Sequence, residues 1–158
     1  AYTFFGSSIK FICSNKIKIG AYTRCAYESQ FVDSNFHFVL NMKTGNVTRR
    51  ESEILIGKCN WIGNRTSITK GSKTKDFSII CAGSLMNKDY TQNEENFIML
   101  GGSPAKVLTS GLKRIFSTEI EKDIIYFFNN NPKANNYNLT SELSDDFKDI
   151  HYWFEHMM

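Results

Sequence analysis

The sequence predicts a mainly β protein, a solenoid wound from six-residue segments that ends in helices. Three observations predict it. An ungapped run of sixes begins at Ile56, a run of the same period begins at Cys13, and the spacing turns helical after Thr118.

From Ile56 the chain divides into IGKCNW, IGNRTS, ITKGSK, TKDFSI and ICAGSL, with Met86 opening the next segment. The first positions are Ile56, Ile62, Ile68, Thr74 and Ile80, and the fifth are Asn60, Thr66, Ser72, Ser78 and Ser84. An apolar column in phase with a column of small polar residues describes a coil of about eighteen residues with three faces, stacked at about 4.8 Å. The leading residue points inward and stacks on its predecessor. The fifth sits at a corner, where a bulky side chain would collide with the layers above and below. Thr74 is small enough for the inward column. The earlier run, CSNKIK, IGAYTR, CAYESQ, puts Cys13, Ile19 and Cys25 at the same inward position and leads into Phe31. The period does not set the hand of the coil, and general chirality favours right-handed crossovers.

Between Phe36 and Leu55 the sixes fail, and the polar stretch HFVLNMKTGNVTRRESE carries a turn signal at Thr44-Gly45-Asn46. It reads as a loop at about 36–55 ejected from one corner, a common place for binding or catalytic residues. The expected organisation is a β-helix domain over 1–110 and a helical extension over 111–158. In that extension Thr118 and Glu121 suit a capping box, Ile120, Ile124, Phe127 and Phe128 share a face, and NNNP stops the helix. A second helix is expected from Ser141 or Ser144, with Phe147, Ile150, Phe154 and Met158 as its apolar stripe.

Composition sets the outer limits. With 158 residues, 41% hydrophobic and 22% charged, the chain can bury a full core. Its 19 basic and 16 acidic residues leave a net charge of +3, too small an excess to argue for nucleic acid. No window approaches the roughly 18 apolar residues of a transmembrane span, and AYTFFGSSIK lacks the layout of a signal peptide. Cys13, Cys25, Cys59 and Cys81 form no CxxC pair and no metal-ligand spacing, so no metal is expected. Reduced thiols favour a soluble, unexported, cytoplasmic protein.

Three motifs narrow the reading: Ile56–Gly63 with Trp61, Ala82–Ser84 followed by Lys88-Asp89, and Gly102–Val107. With them, the stretch from Ile9 to Val107 resembles the hexapeptide-repeat acetyltransferases, in particular the galactoside, maltose and capsular-sugar O-acetyltransferase group. The resemblance implies a left-handed parallel β-helix, a homotrimer with active sites between subunits, and transfer of acetyl from acetyl-CoA to a saccharide hydroxyl. A surface-polysaccharide or other glycan precursor is the implied acceptor. The family's catalytic histidine opens the ejected loop after a segment often written Asp-x-Asp-x-His, which here is Asp33-Ser34-Asn35-Phe36-His37. His37 is therefore the implied general base, because an imidazole titrating near neutrality can take the proton of a poor hydroxyl nucleophile.

Asp33 is then expected to orient the imidazole or the acceptor, and Asn35, replacing the second Asp, to hold an acceptor hydroxyl. The matching coenzyme contacts are Asn64, Ala82, Asn87, Lys88 and Lys106. Ala82 admits the thin pantetheine chain, and the two lysines meet its phosphates. Trp61 either packs on the cofactor or closes a corner. Gly6 and Ser14 stand where galactoside-type members have Asn and Asp, which counts against galactoside itself. The alternatives are N-acetylation of an amino sugar or small xenobiotic on the same fold, and a non-catalytic trimeric binding module. Carbonic anhydrase is set aside, because its zinc needs three histidines and the coil region has one. The extension is expected to cap the solenoid or cover the acceptor site.

Overall fold

A computed structural model describes residues 2–139, mainly β with one helix. The expected second helix and the histidines at 151 and 156 lie outside the described residues. The chain divides into two compact units, residues 3–113 and the residues from Arg114 onward.

The first unit is a parallel solenoid. Coil 1 carries β1 (Phe4–Phe5), β2 (Lys10–Ile12) and β3 (Ile17–Ile19). Coil 2 carries β4 (Arg24–Cys25) and β5 (Gln30–Val32), then an arm with β6 (Val39–Leu40) and β7 (Val47–Thr48), and closes with β8 (Ile54–Ile56). Coil 3 holds β9 (Trp61–Ile62) and β10 (Ser67–Thr69), and coil 4 holds β11 (Ile79–Ile80) and β12 (Leu85–Met86). A terminal hairpin of β13 (Met99–Gly102) and β14 (Ala105–Thr109) ends it. β1, β4, β9, β11 and β13 stack as a first face, and β2, β5, β10 and β12 as a second. β3 and β8 begin the third, continued by parallel bridges from Leu55 to Lys73 and on to Asp89. All pairing between coils is parallel.

The inward column holds as expected along the later coils: Ile56, Ile62, Ile68, Thr74, Ile80 and Met86 are all buried. Thr74 is the polar exception and is satisfied. Its hydroxyl accepts from the Gly57 N–H at 3.1 Å, where the neighbouring rungs use a backbone carbonyl, and donates to Asn60 Oδ1 at 2.9 Å. Coil 1 departs from the six-residue reading. Cys13 lies exposed on the corner between β2 and β3, and Phe5, Phe11, Ile17 and Ile19 register with the inward Cys25, Phe31, Ile54 and Ile56. The third face of coils 1 and 2 uses two inward residues, so the sixes lose phase there.

Fifth-position residues Asn60, Thr66, Ser72, Ser78 and Ser84 are buried at the corners. Space is only part of their role. The hydroxyls of Thr66, Ser72, Ser78 and Ser84 each donate to the carbonyl three residues back, at 2.6–2.9 Å. Each fourth position is left-handed: φ is 56° at Cys59, 55° at Arg65, 79° at Gly71, 61° at Phe77 and 69° at Gly83. That conformation costs a non-glycine residue roughly 1–2 kcal/mol. In return the N–H of Cys59, Arg65, Phe77 and Gly83 points along the solenoid axis and bonds the coil below, at 2.8–3.1 Å. The ladder thus continues around the bend.

In the second unit, α1 (Thr118–Asn130) is capped by Ser117, whose hydroxyl accepts from Ile120 N at 3.3 Å. The cap precedes the expected Thr118 by one residue. Ile120 therefore occupies the third position, and no capping box forms with Glu121. No helix of the described residues is long and apolar enough to cross a membrane.

Candidate functional site

The arm leaves the second corner of coil 2 at Asp33 and returns at Glu53. Its two sides pair as a hairpin: Ser52 N donates to Asp33 O, Asn35 N to Arg50 O, and Val39 and Leu40 register with Thr48 and Val47. Gly45, at φ 72°, turns the tip over an Asn41 side chain that accepts from Lys43 N and Thr44 N. His37 stands exposed near the root of this arm. The preceding Phe36 is left-handed at φ 60°, and its N–H is bonded to Ser34 Oγ at 2.9 Å. Ser34 thereby holds the bend that sets the direction of His37. Among the described residues the imidazole has no hydrogen-bonding partner.

Asp33 is fully buried and serves a different partner from the one expected. Its carboxylate accepts from the N–H groups of Ser14, Asn15 and Lys16 at 2.7–2.8 Å and from the Cys13 thiol at 3.4 Å. Burial alone would raise its pKa. Those four donors outweigh burial and hold the carboxyl below its ordinary range. In turn burial and the Asp33 carboxylate push the Cys13 thiol up. Asp33 thus nails the arm's root to the corner of the coil below, its carboxylate accepting from that turn rather than from His37. Asn35 is exposed, with its backbone tied across the arm.

The expected coenzyme residues fall into two groups. Asn64 and Ala82 lie one above the other on the first corner, where Gly83 N donates to Asn64 O at 2.9 Å. A Cβ on Gly63 would collide with the Ala82 backbone, so glycine here lets coils 3 and 4 stack closely, with Gly63 and Asn64 half-buried and Ala82 exposed. Lys106 extends the line from the terminal hairpin. It registers with Gly101, which stacks against Cys81, and its side chain is exposed. Gly102, at φ 101°, makes the turn that returns Lys106 to this edge. An edge that exposes the small Ala82 and Gly83 and ends in a lysine fits a narrow amide chain with a phosphate at its end. Asn87 and Lys88 lie on the second corner instead, across β12, on the order of 15 Å away at about 3.3 Å per residue. Lys88 Nζ sits 5.4 Å from the centroid of the Tyr90 ring. Trp61 closes no corner. It points outward from the first face beside the corner of Asn64 and Ala82.

The third face carries a charge ladder that the sequence pattern did not single out. Glu53 accepts from Lys16 and Lys73, both at 3.3 Å, and Lys73 faces Asp89 across a bridge. Burial opposes ionisation of Asp89, but the Thr91 hydroxyl and N–H, with Lys73, keep its pKa low. No cluster among the described residues could hold a metal.

No protein-family model and no curated protein matches the chain. Solved structures do. The polySia-specific acetyltransferase NeuO superposes with a TM-score of 0.66 at 18% identity, over 99% of this chain and 61% of that one. The chain has the hexapeptide-repeat acetyltransferase fold. Galactoside acetyltransferase in complex with coenzyme A shares this fold at TM-score 0.57 and 19% identity, over 89% of this chain and 64% of that one. A maltose O-acetyltransferase from Clostridium difficile 630 matches at TM-score 0.50 and 25% identity, over 69% and 59%. The chain thus spans about three fifths of the length of these hexapeptide-repeat proteins.

Proposed function

We propose that this protein is an acetyl-CoA-dependent O-acetyltransferase, acting in the cytoplasm on a hydroxyl of a saccharide such as a surface-glycan precursor, from a left-handed homotrimeric solenoid. The observation that carries this reading is the single corner that stacks Gly63 and Asn64 on Ala82 and Gly83 and leads to the exposed Lys106 of the terminal hairpin. Acetyl-CoA lies along that edge as substrate, with pantetheine against main chain and a phosphate at Lys106. His37 takes the proton from the acceptor hydroxyl as its oxygen attacks the thioester carbonyl. The tetrahedral intermediate expels the CoA thiolate, which receives that proton from the imidazolium, giving the acetyl ester and free CoA. Within one chain the second face separates the His37 arm from this edge, so a complete site needs the arm of one copy beside the edge of the next.

The expected acceptor of an N-acetyltransferase, an ammonium, calls for a free carboxylate near His37. Asp33 is taken up by backbone N–H groups, and Glu51 pairs with Arg50 at 2.7 Å, which favours a hydroxyl. The test is incubation with acetyl-CoA and a panel of nucleotide sugars and oligosaccharides, following thiol release and product mass. Release with a 42 Da gain on a saccharide, about the mass of an acetyl group replacing hydrogen, supports the reading. Binding of a saccharide without turnover of any acceptor returns the protein to the binding-module alternative.

A further inference from the structure

The two sides of the arm are unequal in length at its root. Ser34 bridges Glu51 and Val39 pairs with Thr48, so Asn35, Phe36, His37 and Phe38 face only Arg49 and Arg50. Asn35 N donates to Arg50 O at 2.9 Å, and continuing the register back from Val39 sets Phe38 opposite Arg49. Phe36 and His37 are left as the extra residues of a bulge, a device by which a strand re-aims a side chain. The bulge that presents His37 is therefore faced by two arginines. We propose that Arg50, supported by Arg49, binds an anionic group of the acceptor, which is an acidic saccharide with a carboxylate or phosphate near the hydroxyl that receives the acetyl group. This rests on the reading of His37 as base and names the chemical class of its acceptor.

Two further observations select Arg50 and the sign of its ligand. The first is preorganisation. Arg50 Nε donates to Glu51 Oε1 at 2.7 Å, and its Cζ lies 5.3 Å from the ring centroid of Phe38, the residue after His37. A guanidinium held on two sides loses less rotamer freedom when it meets a ligand. Its two Nη groups form the fork that matches a carboxylate or phosphate, and they have no hydrogen-bonding partner among the described residues. The second is charge. Residues 34–52 carry Lys43, Arg49 and Arg50 against Glu51 alone, and Lys70 brings another ammonium to the arm by donating to Arg49 O at 2.6 Å. The flanking carboxylates are already engaged, Asp33 by three backbone N–H groups and Glu53 by Lys16 and Lys73. An anion approaching His37 is thus attracted, and the ammonium of an amino sugar is repelled.

The test pairs acceptors of different charge: oligogalacturonate against the same oligomer reduced at its carboxyls, and glucose 1-phosphate against glucose. The first pair reads a carboxylate and the second a phosphate. Binding is followed by calorimetry without acetyl-CoA, and acetyl transfer separately by thiol release. The wild type should prefer an acidic member, and that preference should shrink between about 50 and 500 mM salt. Arg50→Gln should cut the preference roughly ten- to a hundredfold, the worth of one charge-assisted contact, with its melting transition retained. Arg50→Lys keeps the charge without the fork and should fall between. Equal binding of acidic and neutral members, or a preference that survives Arg50→Gln, overturns the assignment. So does an Arg50→Gln defect confined to the KM for acetyl-CoA, which would give the arginines to the coenzyme. Should Arg50→Gln unfold, the wild-type salt series decides, and a salt-independent preference overturns the assignment. Arg50-dependent binding of an acidic saccharide with no acetyl transfer leaves the anion site standing and removes the enzyme reading alone. Transfer to neutral acceptors only does the reverse.

Discussion

Coils 3 and 4 and the arm of coil 2 are neighbours in one chain with opposite physical characters. Every first and fifth position of the sixes between Ile56 and Met86 is buried, whereas every residue from Asn35 to Arg50 is exposed. The coils hold the hydrophobic stack and the hydroxyls that satisfy their corners. The arm holds His37 and is fastened mainly at its root, through Asp33 and the backbone bonds across its base. The lesson is that the packed core and the proposed base sit on separate elements, so each can be altered without the other.

The comparison breaks most sharply at His37. His37→Ala should lower kcat by about 10²–10⁴, the range for a positioned general base, while the melting transition stays in place because the residue is exposed on the arm. His37→Asn should be impaired alike, since an amide cannot take the proton. Loss of the melting transition with activity would make the residue structural. Full activity would end its role as base.

Ile68→Ala is the converse. Removing a fully buried member of the inward stack should cost about 2–5 kcal/mol in denaturant unfolding. Leu40→Ala on the arm, measured the same way, should stay within about 0.5 kcal/mol. Equal costs at the two sites would erase the distinction between coil and arm.

On the terminal hairpin, Lys106→Ala should raise the KM for acetyl-CoA ten- to a hundredfold with kcat little changed, about 1.5–3 kcal/mol for one charge-assisted phosphate contact. An unaltered KM would make Lys106 a solvated surface charge.

Asp33→Asn sharpens the one place where the two regions are joined. It should cost about 1–3 kcal/mol, because an amide replaces a carboxylate facing three N–H donors. The Asp33 carboxyl is held below its ordinary pKa of about 3.9 when folded, so its stabilisation is complete above that value and is lost as pH falls through the lower folded value. The variant should lack that acid-side loss. Unfolding curves of the two proteins at pH 7 and near pH 3 would show it, and parallel losses would reassign the acid sensitivity elsewhere.

The sequence by itself determined the solenoid of the later coils. Ile62, Ile68 and Ile80 could be read as inward, and Thr66, Ser72 and Ser84 as corner residues, because a short strand alternates its faces and a six-residue step returns each side chain to the same direction. It also determined where the regular coil is interrupted and that His37 stands on the interruption. Tertiary structure decided the rest, through contacts set by coil length and not by local pattern. Cys13 fell out of the inward column because the third face of the first coils takes two inward residues. The left-handed bends at Cys59, Arg65 and Phe77 carry no glycine to announce them, and they are held by N–H bonds to the coil below. Asp33 received donors 17–19 positions earlier in the chain, brought beneath it by one turn of the solenoid. The same turn length put Asn64 and Ala82 on one edge and Asn87 and Lys88 on another, because each corner collects residues one coil apart and the second face lies between, while the antiparallel terminal hairpin carried Lys106 back to the first of these edges.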